Sequence, residues 1–294
     1  MRTLFIIDNN PIYTLSERMW SKRTIEQELE AVEIETAPRV MLLKYLTKNS
    51  KIIDSGCGFG KWLIYLNQLG YKIIGIDNNE MVISKLKKYN NSLQVELGNI
   101  LTINYPDNYF DAYISMGVVE HFENGPLMAL KEAYRVLKPN GLIFLSTPTV
   151  NIIRKVIIQP ILNIFNRCYY LFVKIKRFIE KPESMYKVNN YKKVRKAKKK
   201  KYYHFLEYRF TVKELHSFLK KSNFRVIETV PHDFHGSREH SIGLGVDFPF
   251  LKKRNSVNFK LNYFGKIISR ILDGISPWIA CASVLCVGKS LKKS

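Results

Sequence analysis

Two textures of apolar residues alternate along the middle of the chain. Short continuous runs rich in β-branched residues predict strands at Lys51–Asp54, Tyr71–Asp77, Leu93–Leu97, Phe110–Met116 and Gly141–Thr147. Stripes with three- to four-residue spacing between them predict helices at Lys61–Leu69, Met81–Tyr89 and Leu127–Leu137. Strand and helix in alternation imply a parallel sheet with helices on both faces. Residues 20–48 read as helical: Thr24-Ile25-Glu26-Gln27 fits a capping box, and Pro38 after Thr36 opens a second helical run. The rhythm stops after Pro148. It resumes at a second capping box, Thr211-Val212-Lys213-Glu214, followed by a strand over Arg225–Val230 and a last one over Ala280–Gly288. Gly236, Gly243, Gly245 and Pro249 within residues 231–279 suggest an irregular loop closing on a substrate. The chain divides into a helical N-terminal cap (1–50), a core (51–150), a basic amphipathic insertion (151–204) and the remainder of the core with substrate-side loops (205–294).

Charge sharpens that division. The 294 residues carry a formal net charge of +22, yet residues 1–150 balance 16 basic against 16 acidic side chains. Residues 151–213 hold 18 basic and 3 acidic. In the insertion, Ile153, Ile157, Ile161, Ile164, Cys168, Leu171, Ile175 and Ile179 recur at helical steps among lysines and arginines, with Pro160 expected to kink the helix. A wide apolar face bordered by cations is the form of a helix lying in a membrane interface, and the run Lys196–Lys201 would add about 1 kcal/mol per charge near an anionic leaflet. A helix packed over the active site, followed by a solvated basic loop, explains the same pattern. Neither Ile152–Ile179, interrupted by Arg154, Lys155, Arg167, Lys174 and Lys176 among others, nor the short Ile275–Val287 suits a membrane span. The apolar run Leu4–Ile7 ends at Asp8, too short for a secretory leader, and the four cysteines show no CxxC spacing. These features point to a cytoplasmic protein with a peripheral membrane contact.

The chemistry concentrates at Ile52-Ile53-Asp54-Ser55-Gly56-Cys57-Gly58-Phe59-Gly60, where an apolar strand runs through a glycine turn into a helix. Glycines permit backbone angles closed to other residues and let a ligand approach the main chain beside free helix N–H groups. The G-x-G-x-G spacing is shorter than the usual dinucleotide fingerprint. Asp77 ends the second strand 23 residues after Asp54, where a carboxylate can accept ribose hydroxyls. Gly98-Asn99-Ile100 follows the third strand and Met116-Gly117-Val118-Val119-Glu120-His121 the fourth, and Arg135–Gly141 leads into the fifth.

With these five blocks in order, the chain resembles the class I S-adenosylmethionine-dependent methyltransferases, closest to the small-molecule branch of ubiquinone- and menaquinone-pathway enzymes. The resemblance covers residues 51–148 closely, and 205–230 and 280–288 loosely. It implies a doubly wound, Rossmann-like α/β fold with a seven-stranded sheet whose last strand is antiparallel. It also implies S-adenosylmethionine as cofactor across the carboxyl ends of the first, second and fourth strands. Carried over by position, Gly56, Gly58 and Gly60 would line the methionine and ribose portion, Asp77 would hold the ribose and Asn99 the adenine amino group. Met116 and Gly117 would wall the sulfonium, and Asp54, Asn78 and Ile100 complete the cofactor-binding set. Asn99 replaces a more usual aspartate.

Methyl transfer from a sulfonium is an in-line displacement, so the protein mainly aligns the partners and excludes water. A base helps where the acceptor carries a proton. Glu120 and His121 are the catalytic candidates. Quinone-pathway relatives have a metal cluster in this stretch, but Gly117 stands at its other acidic position, and no metal is expected. His232, His235 and His240 fit no standard zinc spacing. His204, Glu207 and Tyr208, in the stretch resembling the family's acceptor-facing segment, are the substrate-contact candidates. The expected acceptor is a small or lipid-linked molecule, with an anionic membrane surface as partner through 151–204. An RNA methyltransferase using lysines interleaved with Tyr186, Tyr191, Tyr202 and Tyr203 is one alternative, disfavoured because Met116-Gly117-Val118 replaces the Asn/Asp-Pro-Pro-aromatic run of many base-amino methyltransferases. A non-catalytic membrane-surface binder that keeps the fold is another. The oligomeric state is not legible.

Overall fold

Thr24 caps the first helix as its sequence demands: its hydroxyl accepts from the Gln27 N–H, and the Gln27 side chain accepts from the Thr24 N–H. The fold is seen in a computed structural model describing residues 2–8, 23–158, 160–161, 163–164, 167–168, 187–188, 191–192, 194–196, 199–232, 249–253, 261–279 and 281–293. In chain order the main elements begin with β1 (Arg2–Asp8), α1 (Ile25–Ile34), α2 (Thr36–Tyr45), β2 (Lys51–Ser55), α3 (Lys61–Gln68), β3 (Lys72–Asp77), α4 (Glu80–Tyr89) and β4 (Val95–Leu97). There follow β5 (Phe110–Met116), α5 (Leu127–Val136), β6 (Leu137–Pro148), β7 (Lys199–Arg209), α6 (Val212–Lys221), β8 (Phe224–His232), α7 (Tyr263–Ile275) and β9 (Ser283–Ser290).

The main sheet has seven strands in the order β8-β9-β6-β5-β2-β3-β4. Strands β4, β3, β2, β5 and β6 run parallel, and β9 lies antiparallel between β6 and β8. The doubly wound α/β sheet with an antiparallel last strand is therefore present as the sequence implies. Successive residues of β2 serve opposite faces. Ile52 packs with Trp62, Leu63, Leu66, Val82 and Leu86 of α3 and α4, while Ile53 packs with Leu130, Ala133, Leu215 and Leu219 of α5 and α6. Both faces are covered, which is why the central strands read as continuous apolar runs. Chain order reverses at β2, between β3 and β5, and ligands of open α/β sheets bind outside the carboxyl ends at such a point.

Three features depart from the sequence reading. Residues 2–8, inside the segment read as a helical cap, form a strand that pairs antiparallel with β7, Arg2 opposite Arg209 and Asp8 opposite Tyr202. Within the insertion read as helical, Lys187–Val188 pairs with Tyr191–Lys192, and Val194–Lys196 pairs with Lys199–Lys201. The aromatic and β-branched residues among those lysines favour extended backbone. Of the helix expected through Ile179, residues 152–153, 160–161, 163–164 and 167–168 are helical and Arg154–Ile158 is a wide-turned segment, while 159, 162, 165–166 and 169–179 lie outside the described residues. Finally, Tyr263–Ile275 is a helix where an irregular loop was expected.

Candidate functional site

Gly56, Gly58 and Gly60 all have positive φ, from +53° to +78°, and turn the chain from β2 into α3. At Gly56 no side chain is tolerated: a Cβ there would lie 2.7 and 2.8 Å from the Val118 methyls. The same contact sets the glycine turn directly against the turn after β5. The turn is braced from β3, because the Gly56 and Cys57 N–H groups donate to the Ile76 carbonyl at 2.8 and 2.9 Å. Asp77 completes the brace: Oδ2 accepts from Gly58 N–H at 2.9 Å and Oδ1 from Asn79 N–H at 3.0 Å. Asp77 is buried, and desolvation raises its pKa while these N–H bonds hold it down. Each carboxylate oxygen retains acceptor capacity.

Asp54 is 3% exposed at the end of β2, and its Oδ2 has no hydrogen-bond partner. Burial lifts its pKa to about 7, against the pull of the nearby Lys61 ammonium. Lys61 is itself ion-paired at 2.5 Å with Glu35, which joins α1 to α2. Ser115 Oγ on β5, Thr147 Oγ1 on β6 and Glu120 Oε2 in the turn after β5 are also buried without partners. Orphaned polar atoms are rare in native interiors, and these four lie at the carboxyl end of the sheet, where a polar ligand fits. An ammonium or sulfonium beside Asp54 satisfies the chemistry of such a carboxylate.

A folded-state pKa of about 7 against an ordinary 3.8 has a consequence for stability. The unfolded chain releases this proton near pH 4 and the folded chain holds it to neutrality, so stability is lost as pH rises across that window. Asp54→Asn is expected to be more stable than the parent at pH 8, by on the order of 3 kcal/mol, with little gain below pH 4. Urea unfolding at both pH values measures this, and a pH-independent difference would contradict it.

The remaining cofactor candidates occupy the same edge. Asn79 caps α4 through bonds to the Met81 and Val82 N–H groups, and Asn78 beside it is exposed. The Asn99 amide oxygen accepts from Leu101 N–H at 2.9 Å, leaving its NH2 and one lone pair open to an adenine edge, and Ile100 is buried. Arg135 fastens this loop from below, bonding the carbonyls of Ile103 and Tyr105 and the carboxylates of Glu132 and Asp107. Met116 ends β5, and Gly117, the next residue, donates its N–H to Ser146 O.

Above this edge lies β7. It joins the main sheet where Thr149 pairs with Phe210, and the Thr149 hydroxyl donates to the Phe210 carbonyl at 2.8 Å. His121 Nδ1 lies 2.7 Å from the Leu206 carbonyl, and the Tyr208 hydroxyl donates to Glu123 O at 2.7 Å. A carbonyl only accepts, so Nδ1 carries the proton and Nε2 the lone pair. Burial lowers the His121 pKa. Glu120 and Glu207 are buried, both are pushed upward by desolvation, and the charge of Glu207 raises Glu120 further. Glu207 reaches about 7, with the Arg154 charge opposing the rise, and pairs with Arg209 at 3.3 Å. The structure thus brings together Glu120, His121, Glu207 and Tyr208. His204 lies on the same strand, opposite Ile6, but its side chain, like His235 and His240, lies outside the described residues. His232 bonds Ser146 Oγ through Nε2 at 2.7 Å.

Residues 53–145 match the family model for a methyltransferase domain. Over 142 residues the chain is 32% identical to a demethylmenaquinone methyltransferase of Staphylococcus saprophyticus, covering 46% of this chain and 57% of that one. These matches support a class I S-adenosylmethionine-dependent methyltransferase domain over residues 53–145. A demethylmenaquinone methyltransferase of Staphylococcus carnosus is 31% identical over 144 residues, so the chain spans little more than half the length of the curated relatives it matches. The methyltransferase fold recurs in solved structures. One is an S-adenosylmethionine-dependent methyltransferase from Archaeoglobus fulgidus, with TM-score 0.52 at 15% identity, covering 95% of this chain and all of that one. Another comes from Methanosarcina mazei, with TM-score 0.50 at 18% identity, covering 86% and 98%.

Sequence reasoning missed Arg154 and Arg209, both buried beside Glu207. Arg154 was grouped with the basic border of an interfacial helix. Its signal is position: the Arg154 N–H donates to Asn151 Oδ1 at 2.8 Å, in the first turn after β6 leaves the sheet. Glu207 and Arg209 are two apart on a strand, the spacing of one face.

Proposed function

We propose that this chain transfers a methyl group to a small or lipid-linked acceptor, working from the cytoplasmic side as a peripheral protein. The observation that carries the reading is the juxtaposition of the braced glycine turn with the turn bearing Glu120 and His121, roofed by β7. S-adenosylmethionine, when bound, supplies a methyl group already activated on a sulfonium. Gly56, Gly58 and Gly60 would shape the turn that borders it, Asp77 would accept hydrogen bonds from its ribose hydroxyls, and Asn99 with Ile100 would receive its adenine. Asp54 neutralises positive charge, and Met116 and Gly117 close the wall toward the acceptor. His121, neutral and fixed by Leu206, takes a proton from the acceptor through Nε2. Glu120, held protonated by burial, offers a hydrogen-bond donor to an acceptor oxygen, Glu207 stays paired with Arg209, and Tyr208 keeps an acceptor lone pair.

The demethylmenaquinone methyltransferases among the relatives support a small, apolar acceptor. Incubation with methyl-labelled donor and fractionated lipids, metabolites and RNA tests the reading. Label is expected in the lipid or small-molecule pool. Label in RNA would overturn the acceptor class. Tight donor binding with label in no pool would overturn transfer itself in favour of a non-catalytic binder.

A further inference from the structure

Helix α7 carries a stripe that no part of the transfer reaction uses. Phe264, Ile267, Ile268, Ile271 and Ile275 stand at i, i+3, i+4, i+7 and i+11, which places them along one side of the helix. Each is between 37% and 70% exposed. The helix nevertheless has a core-facing side of its own. Gly265 and Ser269 are buried, and Leu272 packs on a satellite core of Ile153, Leu251 and Leu261. The start of the helix is anchored firmly. Asn262 donates its N–H to Leu251 O at 2.7 Å and its side-chain NH2 to Phe250 O at 2.8 Å, and its Oδ1 caps Gly265 N–H at 2.9 Å. A Cβ at Gly265 would lie 2.7 Å from the Leu251 carbonyl, so the helix sits as close to that loop as backbone allows. The exposed stripe is therefore built into a fixed element.

Its surroundings identify what covers it. Residues 249–279 contain six Lys or Arg against Asp273 alone, and exposed Lys266 and Arg270 border the stripe one turn apart. Phe250, Tyr263 and Phe264, each about 70% exposed, gather at the amino end of the helix; the Tyr263 ring with its polar tip favours the headgroup level of a bilayer, and the two Phe rings extend the apolar surface. The neighbouring segment after β6 joins the same satellite core through Ile153, whose N–H donates to Ile279 O at 3.2 Å, and it exposes Val156 and Ile157 beside Lys155. A second copy of this chain would bring cations against cations, whereas lipid phosphates neutralise them. Among the described residues no helix is long and apolar enough to cross a membrane. An amphipathic helix with an apolar stripe and a cationic flank lies in the interface plane instead. We propose that α7 docks this protein on an anionic lipid bilayer, with the Phe264–Ile275 stripe in the acyl boundary and Lys266 and Arg270 among the headgroups.

The proposal requires neither donor nor acceptor, so it stands or falls apart from the methyl-transfer reading. Co-sedimentation of the full chain with vesicles of phosphatidylcholine, with and without phosphatidylglycerol, tests it. The chain is expected to partition onto the anionic vesicles. Phe264→Ser with Ile271→Ser, which leaves every charge in place, is expected to lower that partition at least about tenfold. Lys266→Glu with Arg270→Glu is expected to abolish the preference for phosphatidylglycerol. Circular dichroism and donor titration matching the parent show that the variants remain folded. Equal partition of the parent and the serine variant would overturn the proposal. So would a parent chain that ignores vesicles, or a dimer in solution that the serine variant dissociates.

Discussion

Replacing Asp77 with alanine is expected to weaken binding of S-adenosylmethionine and its demethylated product by about a hundredfold or more. Two losses combine. The carboxylate braces the glycine turn through Gly58 N–H and the start of α4 through Asn79 N–H, at 2.9 and 3.0 Å. It is also the buried acceptor at the end of β3, where a ribose would present its hydroxyls. Hydrogen bonds to a charged group contribute about 1.5–3 kcal/mol each, so losing two to the ribose corresponds to at least about a hundredfold in affinity. Asp77→Asn keeps the shape and one acceptor oxygen, and its deficit is expected to be nearer tenfold. A turn held only by the Ile76 carbonyl is looser, so both variants should also melt earlier, alanine more than asparagine. Isothermal titration calorimetry with donor and product decides the matter. Unchanged affinity in the alanine variant would remove Asp77 from the cradle and undermine the assignment of the whole edge.

What the sequence disclosed and what it hid divide along chemical lines. The strands of the main sheet, the glycine turn and Asp77 rest on local signals: apolar runs, G-x-G-x-G spacing and a carboxylate at a strand end. Both capping boxes formed as written, Thr24 with Gln27 and Thr211 with Glu214. Pairing of β1 with β7 joins Arg2 to Arg209, and no local pattern encodes a partner so distant. The lysines around Tyr202 and Tyr203 masked the strand propensity of that stretch. Helix α7 was hidden because Gly236, Gly243, Gly245 and Pro249 carried a loop reading across the whole of residues 231–279, Gly265 included. In the fold Gly265 instead permits close packing on Leu251 O. At the site, Glu120 and His121 were legible because they follow a strand directly. Their relation to Glu207, Arg154 and Arg209 depends on the roof formed by β7 and so emerged only in three dimensions.

Exchanging His121 for asparagine is expected to lower kcat about a hundredfold or more while leaving donor affinity unchanged. The Asn side-chain NH2 can replace the Nδ1–H that bonds the Leu206 carbonyl at 2.7 Å, so the link between the turn and β7 survives. What disappears is Nε2, the one ring nitrogen with a lone pair. Burial sets the pKa of His121 below its ordinary 6.5, so at neutral pH the ring is uncharged and competent to accept a proton. The parent's kcat should therefore rise with pH along a limb below 6.5 and level off at neutrality, and the variant should lack that limb. Stability follows the same proton. The unfolded chain binds it near pH 6.5 and the folded chain resists it, so the contribution is present above 6.5 and is lost as pH falls toward the lowered folded value. The asparagine variant should be less sensitive to acid across that interval. An unchanged kcat with a flat profile in both proteins would mean that alignment alone drives transfer, and His121 would then be a strut between the turn and the roof.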